Sequence, residues 1–271
     1  MTATWTEAFS SFTPAGTGWQ NYDLYTKKSV PKGAVAYIIC ANGNETTDIF
    51  MGVRTDGSSL ERRINLHEAE GGGYVLYGMY VTCDASTGYI ETYVDSTTDA
   101  IFYLMGYWTG APFTERWDSF SGSTASAWNQ FTCDSSFPAS CAVQTDIISK
   151  AAAASRTMGC RSGDSSTNRQ FTFHEAEGTD ADACEPATWM VKLNASKEFG
   201  AFIHIIADNP VYVTGYFDPS YLNYVETARA DVDVDSANKW VDWDISESLD
   251  QNGRVLDCYV LHKKYSAEVY M

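Results

Sequence analysis

The sequence predicts an all-β protein of tandem antiparallel β-sandwiches, jelly-roll-like or immunoglobulin-like, in two complete units and one half-unit. Three observations predict it. A segment of about 107 residues occurs twice in full and a third time as its first half. Within each segment, short runs of β-branched and aromatic residues are punctuated by turn dipeptides. Aromatics are frequent, with Tyr 17, Phe 13 and Trp 8 among 271 residues, a mixture that suits pleated, half-buried surfaces.

Self-similarity comes first, because a missed repeat misassigns a whole fold. Residues 51–71 read MGVRTDGSSLERRINLHEAEG and residues 158–178 read MGCRSGDSSTNRQFTFHEAEG; at a constant offset of 107, 11 of the 21 positions are identical. Upstream, Thr6-Glu-x-Phe9 matches Thr114-Glu-x-Trp117, and Trp19 matches Trp128; downstream, Gly106-Tyr-Trp matches Gly215-Tyr-Phe. The copies delimit a first unit over 1–112 and a second over 113–223. Residues 224–271 begin the unit again: Trp240-x-x-Trp243-Asp-Ile follows Trp19-x-x-Tyr-Asp-Leu, and 253–271 follow 33–51.

In the first copy the strand-like runs are Ala34–Cys40, Asp48–Val53, Arg62–His67, Tyr74–Cys83, Tyr89–Val94 and Ala100–Trp108. Asn42-Gly, Asp56-Gly, Gly71-Gly-Gly and Thr87-Gly separate them, which is turn chemistry. Six to eight strands in such a length suit a sandwich. Only Ala151–Arg156 has a helical look. The seven cysteines do not repeat between copies. Six of them replace apolar residues one at a time, so they read as small buried hydrophobes from a reducing compartment rather than a disulfide framework; Cys184 has no assignment.

A net charge of −17 with scattered basic residues disfavours nucleic acid and anionic bilayers as partners. The N-terminus has neither the basic nor the apolar region of a signal peptide, and no apolar run has the length of a membrane span.

The conspicuous motif is His67-Glu68-Ala-Glu70, repeated as His174-Glu175-Ala-Glu177. It lacks the second histidine of a zincin helix, and a hydrolytic zinc needs three protein ligands. Period-2 counting puts Arg62, Ile64, Leu66 and Glu68 on one inward face, as it does Arg169, Phe171, Phe173 and Glu175. With Arg54 and Arg161 one strand away, the expectation is a structural Arg/Glu cluster closing a sandwich edge, with Arg62 and Glu68 as the central pair. Ser58-Ser59 and Ser165-Ser166 read as turn residues. The tryptophans offer a sugar-stacking platform as the alternative to packing, and packing is the stronger reading. The run Asp231–Asp235 reads as a solvated edge in preference to a calcium site. No catalytic residue, metal or cofactor is assigned.

The combination of Trp-x-x-[Tyr/Trp]-Asp-[Leu/Ile], Gly-Val-Arg-x-x-Gly-Ser-Ser, His-Glu-Ala-Glu-Gly-Gly-Gly and a closing Gly-Tyr-Trp resembles a repeat of uncharacterised structural proteins from tailed phages and environmental viruses. The second copy departs from it, with Gly178-Thr-Asp in place of the glycine triplet. The resemblance implies a non-enzymatic virion protein assembled in the host cytoplasm, decorating a capsid or belonging to a turret or tail, and partnered by itself and other virion proteins. A carbohydrate-binding adhesion module, with a glycan partner, is the alternative, and a hydrolase using the His-Glu-Ala-Glu motif a distant third. The half-unit would bury too little to stand alone, so Trp240, Trp243, Val255, Cys258 and Val260 are expected to form an interface, by strand addition to a neighbouring chain in preference to folding back on the second unit.

Overall fold

The computed structural model describes residues 3–69, 73–150, 155–173 and 184–221. The first eight strands are β1 (Thr4–Phe12), β2 (Gly18–Asp23), β3 (Val35–Asn42), β4 (Ile49–Thr55), β5 (Arg63–Leu66), β6 (Val75–Thr82), β7 (Tyr89–Val94) and β8 (Ala100–Thr109). They pair in the orders β1-β8-β3-β6 and β2-β7-β4-β5, all antiparallel. Eight strands in these two orders are a double-sheet jelly roll, and the immunoglobulin alternative drops out.

The next eight strands repeat the pattern. They are β9 (Phe113–Phe120), β10 (Ala127–Thr132), β11 (Ala142–Ser149), β12 (Arg156–Ser162), β13 (Gln170–Phe173), β14 (Glu185–Lys192), β15 (Glu198–Ile203) and β16 (Val211–Phe217). The sheets are β14-β11-β16-β9 and β10-β15-β12-β13. Copy for copy, β9 takes the place of β1, and so on through β16 and β8.

The six runs read from the sequence correspond to β3 through β8. The helical expectation does not hold where it can be followed: Arg156 opens β12, and residues 151–154 lie outside the described residues. The helix among the described residues is instead α1 (Leu24–Lys28), a single turn. Asp23 caps it, its carboxylate accepting from the Thr26 backbone N–H at 2.8 Å, and Leu24 anchors it in the core.

Each sandwich has its own apolar centre. Ile38, Cys40, Met51, Ile64, Leu66, Met79, Phe102 and Leu104 fill the first; Val143, Ile147, Met158, Cys160, Trp189, Phe199 and Val213 fill the second. Cys40, Cys83, Cys133, Cys141, Cys160 and Cys184 are all buried. Burial pushes the Cys83, Cys133 and Cys141 thiols up to about 12, so they stay protonated. Among the described residues no helix is long and apolar enough to cross a membrane.

Strand β11 explains how the sandwiches join. All eight of its residues are buried although Gln144, Thr145 and Asp146 are polar. Val143, Thr145 and Ile147 face the second core, while Ala142, Gln144, Asp146 and Ile148 point the other way, into the first sandwich. The outer face of the sheet β14-β11-β16-β9 therefore covers the open side of the first jelly roll, where β6 and β5 are edge strands. A third apolar cluster of Val35, Trp108, Ala111, Phe113, Ala142 and Phe217 fills the corner between them.

Candidate functional site

The junction is built around Arg62. Its side chain is 0% exposed, and the carboxylate beside it is that of Glu115 on β9, 8% exposed and 3.0 Å from Nη1. Nη1 also donates to the Val53 carbonyl and Nη2 to the Tyr80 carbonyl, at 3.3 and 2.9 Å. The Glu115 carboxylate accepts from the Thr55 backbone N–H at 3.0 Å and from its hydroxyl at 2.8 Å. The inward placement of Arg62, Ile64 and Leu66 agrees with the period-2 count. The pairing does not: Glu115, from the next unit, occupies the place expected for Glu68. Glu68 is half-buried and its backbone N–H donates to Asp48 at 2.9 Å. A count along one strand cannot see a carboxylate that arrives from another unit.

The repeated Met-Gly-x-Arg sequence has a steric cause at this place. A Cβ on Gly52 would lie 1.9 Å from the Arg62 carbonyl oxygen, and one on Gly159 would lie 2.0 Å from that of Arg169. In both copies only glycine lets β4, or β12, run this close to the segment that carries the arginine.

Around Arg62 the second sandwich supplies hydrogen bonds that an edge strand otherwise lacks. The Gln144 side-chain amide imitates a neighbouring strand. Its oxygen accepts from the Tyr80 N–H at 3.0 Å and its nitrogen donates to the Gly78 carbonyl at 2.7 Å. Cys184 does the same for β5 with its backbone, donating to the Asn65 carbonyl at 2.9 Å and accepting from the His67 N–H at 3.1 Å.

Asp146 is the second buried charge in the junction. Its Oδ2 accepts from Thr214 Oγ1 at 2.8 Å and from the Tyr77 hydroxyl at 3.1 Å. Burial raises its pKa to about 6, against the hydrogen bonds and the Arg62 charge, which lower it. Sequence reasoning missed Gln144 and Asp146; their polarity in an otherwise strand-like run was the available signal.

Arg54 and Arg161 form a second repeated device. The Arg54 guanidinium lies 3.9 Å from the centre of the Trp19 ring, and Arg161 lies 4.0 Å from that of Trp128. Arg54 also donates to Glu91 at 2.6 Å. At the matching place opposite Arg161 the second copy has Gly200. One face of each tryptophan is thus taken by its own arginine.

The His67 motif docks onto the loop after β3. The Asn42 side-chain amide donates to the carbonyls of Leu66 and His67 at 3.1 and 2.7 Å, and the Ala69 N–H donates to the Asn44 carbonyl at 2.7 Å. The His67 ring is buried, with Nδ1 bonded to the Glu68 carbonyl. Ser58 and Ser165 each accept from the backbone N–H two residues on, Leu60 and Thr167, at 3.3 and 3.0 Å, the geometry of a turn hydroxyl. Among the described residues no group of three metal-ligating side chains comes together. Glu70, His174, Glu175 and Glu177, the run Asp231–Asp235, and Trp240, Trp243, Val255, Cys258 and Val260 lie outside the described residues.

No protein-family model and no curated protein matches the chain. Among solved structures it is similar to a chain of Sulfolobus turreted icosahedral virus, at 8% identity over 80% of this chain and 91% of that one, with a TM-score of 0.27. It is similar to the N-terminal CBM22-1–CBM22-2 tandem domain of Xyn10C from Paenibacillus barcinonensis at 11% identity, 80% and 92% coverage and a TM-score of 0.19. A third likeness, to an archaeal-virus protein with a triple jelly roll fold and turret assembly, has 10% identity, 79% and 57% coverage and a TM-score of 0.18. Likenesses this distant assign no function.

Proposed function

We propose that the chain is a non-enzymatic structural protein of a virion, a capsid-decorating, turret or tail-associated subunit that acts by self-association or by binding a lattice of virion proteins. One observation carries the assembly reading. On the second sandwich, Trp117 stacks on Tyr212, ring centres 4.9 Å apart, and the pair packs against the first core. The same positions in the first sandwich hold Phe9 and Tyr103, also stacked, at 5.8 Å. There Phe9 is 69% exposed and Tyr103 is half-buried, with Tyr74 and Leu76 also exposed. The first sandwich thus presents the face that the second uses for docking, with its aromatic pair in place. Exposed apolar surface of this kind marks an interface. The repeated arginines and serines hold the chain together, which favours a structural role over the hydrolase reading.

The test is native mass and co-sedimentation with purified particles, for the full chain and for Phe9→Asp. The wild type is expected to self-associate or to bind particles, and Phe9→Asp to lose this while melting like the wild type. A wild-type chain that stays monomeric and ignores particles, or a variant that assembles normally, contradicts the reading.

A further inference from the structure

We infer that the outer face of the sheet β1-β8-β3-β6 docks against the same face of a second copy of the chain about a two-fold axis; this rests on the assembly reading above and names its partner. The core residues Ile38, Cys40, Tyr77, Phe102 and Leu104 point inward, so their strand neighbours point out. Leu76, Ala41 and Ile101 lie side by side across β6, β3 and β8, and Ile39 pairs with Tyr103 in the next outward row. Phe9 stacks on Tyr103 from β1. Burial and then the adjacent Tyr74 hydroxyl raise the Tyr103 pKa, which joins Tyr74 to the same band. Of the seven large apolar side chains exposed among the described residues, Phe9, Tyr74 and Leu76 belong here. The other four belong to α1, the β15–β16 loop and the segment after β16.

The occupant is named by what differs between the copies. The equivalent face of the second sandwich meets a strand edge, and it does so with polar groups. Gln144 bonds to Tyr80 and Gly78, while Asp146, held by Thr214, accepts from the Tyr77 hydroxyl. By register, Tyr37, Ile39 and Met105 stand in the first sandwich at the places of Gln144, Asp146 and Thr214. Ile39 and Met105 offer a strand edge no hydrogen bond, so polar groups on such an edge would be buried there at a cost. An apolar surface suits them instead, and the largest group of exposed apolar side chains among the described residues is on this face itself. Charge selects the same contact. Two copies that each carry −17 repel. The band of Leu76, Ala41, Ile101, Ile39 and Tyr103 has no charged side chain, so two copies touch there without burying a carboxylate. A two-fold contact brings like to like and closes at a dimer, whereas a contact between two different surfaces continues to a ring or a filament.

The test is sedimentation equilibrium of the full chain over a range of concentrations, with Phe9→Asp and Leu76→Glu on the two edge strands of the sheet. The wild type is expected to reach the mass of a dimer and stop there. Each variant is expected to keep the wild-type circular dichroism and to raise the dimer dissociation constant about tenfold or more. Added salt is expected to tighten the dimer, because it screens the repulsion and leaves the apolar contact. A wild type that stays monomeric, or that grows past a dimer, overturns the proposal; if it still binds purified particles, the assembly reading stands without it. A dimer that Leu76→Glu leaves intact, or that salt dissociates, uses another surface and overturns the proposal as well. If Leu76→Glu does not fold, Leu76→Ala is read in its place, with a rise of about threefold or more expected and an unchanged constant overturning the proposal.

Discussion

The guanidinium of Arg62 in the first jelly roll lies 3.0 Å from the carboxylate of Glu115 in the second, and both side chains are buried. Neither sandwich is electrostatically complete alone. Arg62 without Glu115 is a buried cation left with two carbonyls and the Phe113 ring, and Glu115 without Arg62 keeps only Thr55. Pairs of this kind stabilise little relative to an apolar replacement but are costly to break.

Removing one partner is therefore expected to cost much more than replacing both. Glu115→Ala should destabilise the chain by about 3–5 kcal/mol, whereas Arg62→Met combined with Glu115→Leu should recover most of that loss. Urea denaturation of the two variants and the wild type measures this. Glu68→Ala, at the position first expected to hold the arginine, should cost less than about 1 kcal/mol.

Gln144→Leu keeps the size of the side chain and removes its polarity. The Tyr80 N–H then loses the Gln144 oxygen and the Gly78 carbonyl keeps only the longer 3.4 Å bond from the Thr188 hydroxyl, at a cost of about 1–3 kcal/mol. Gln144→Glu should also destabilise, because the carboxylate accepts from Tyr80 but cannot donate to Gly78. Thermal melts at neutral pH distinguish both variants from the wild type.

Asp146 gives the junction a pH dependence of definite sign. Its folded pKa of about 6 exceeds the unfolded value, so the native state binds the proton more tightly. Its contribution to stability is fully present below about pH 4 and is lost as pH rises towards 6, then stays constant. The shift corresponds to about 3 kcal/mol. The stability difference between wild type and Asp146→Asn, followed from pH 4 to pH 7, should show this slope; a flat difference contradicts it.

The Trp19–Arg54 and Trp128–Arg161 pairs predict an asymmetry between copies. Arg161→Ala removes one cation–π contact, about 1 kcal/mol. Arg54→Ala removes the same contact and the bond to Glu91 and should cost roughly twice as much. Unfolding curves of the two variants, with tryptophan fluorescence as the probe, test the difference.

Much of the fold was legible because strand periodicity and repetition are local signals. Ile64 and Leu66 announce an inward face, and the identical Met-Gly-x-Arg segments announce equivalent places. β1 and β2 were harder: Thr4–Phe12 mixes polar and aromatic residues, with Phe9 exposed on its outer side. The junction was not legible for a physical reason. Gln144 and Asp146 look like surface residues of a half-exposed strand until a second sandwich covers them, and Glu115 looks like a solvated charge until Arg62 meets it. A three-dimensional contact between copies leaves no period in the sequence. Arg54 and Arg161 were expected beside an Arg/Glu cluster, but they lie against Trp19 and Trp128 on β2 and β10, beyond the reach of spacing arguments.

The central claim is that the second sandwich completes the structure of the first, so the two open together. Native-state hydrogen exchange tests it most directly, at the amides whose partners lie across the junction. The Tyr80, His67 and Cys184 amides donate to Gln144, Cys184 and Asn65 respectively. The account predicts that these three exchange with the same opening free energy as the central amides of β3 and β11, and that Glu115→Ala lowers all of them together. Fast exchange at Tyr80, His67 and Cys184 while β3 and β11 stay protected would mean that the sandwiches part freely, which contradicts it.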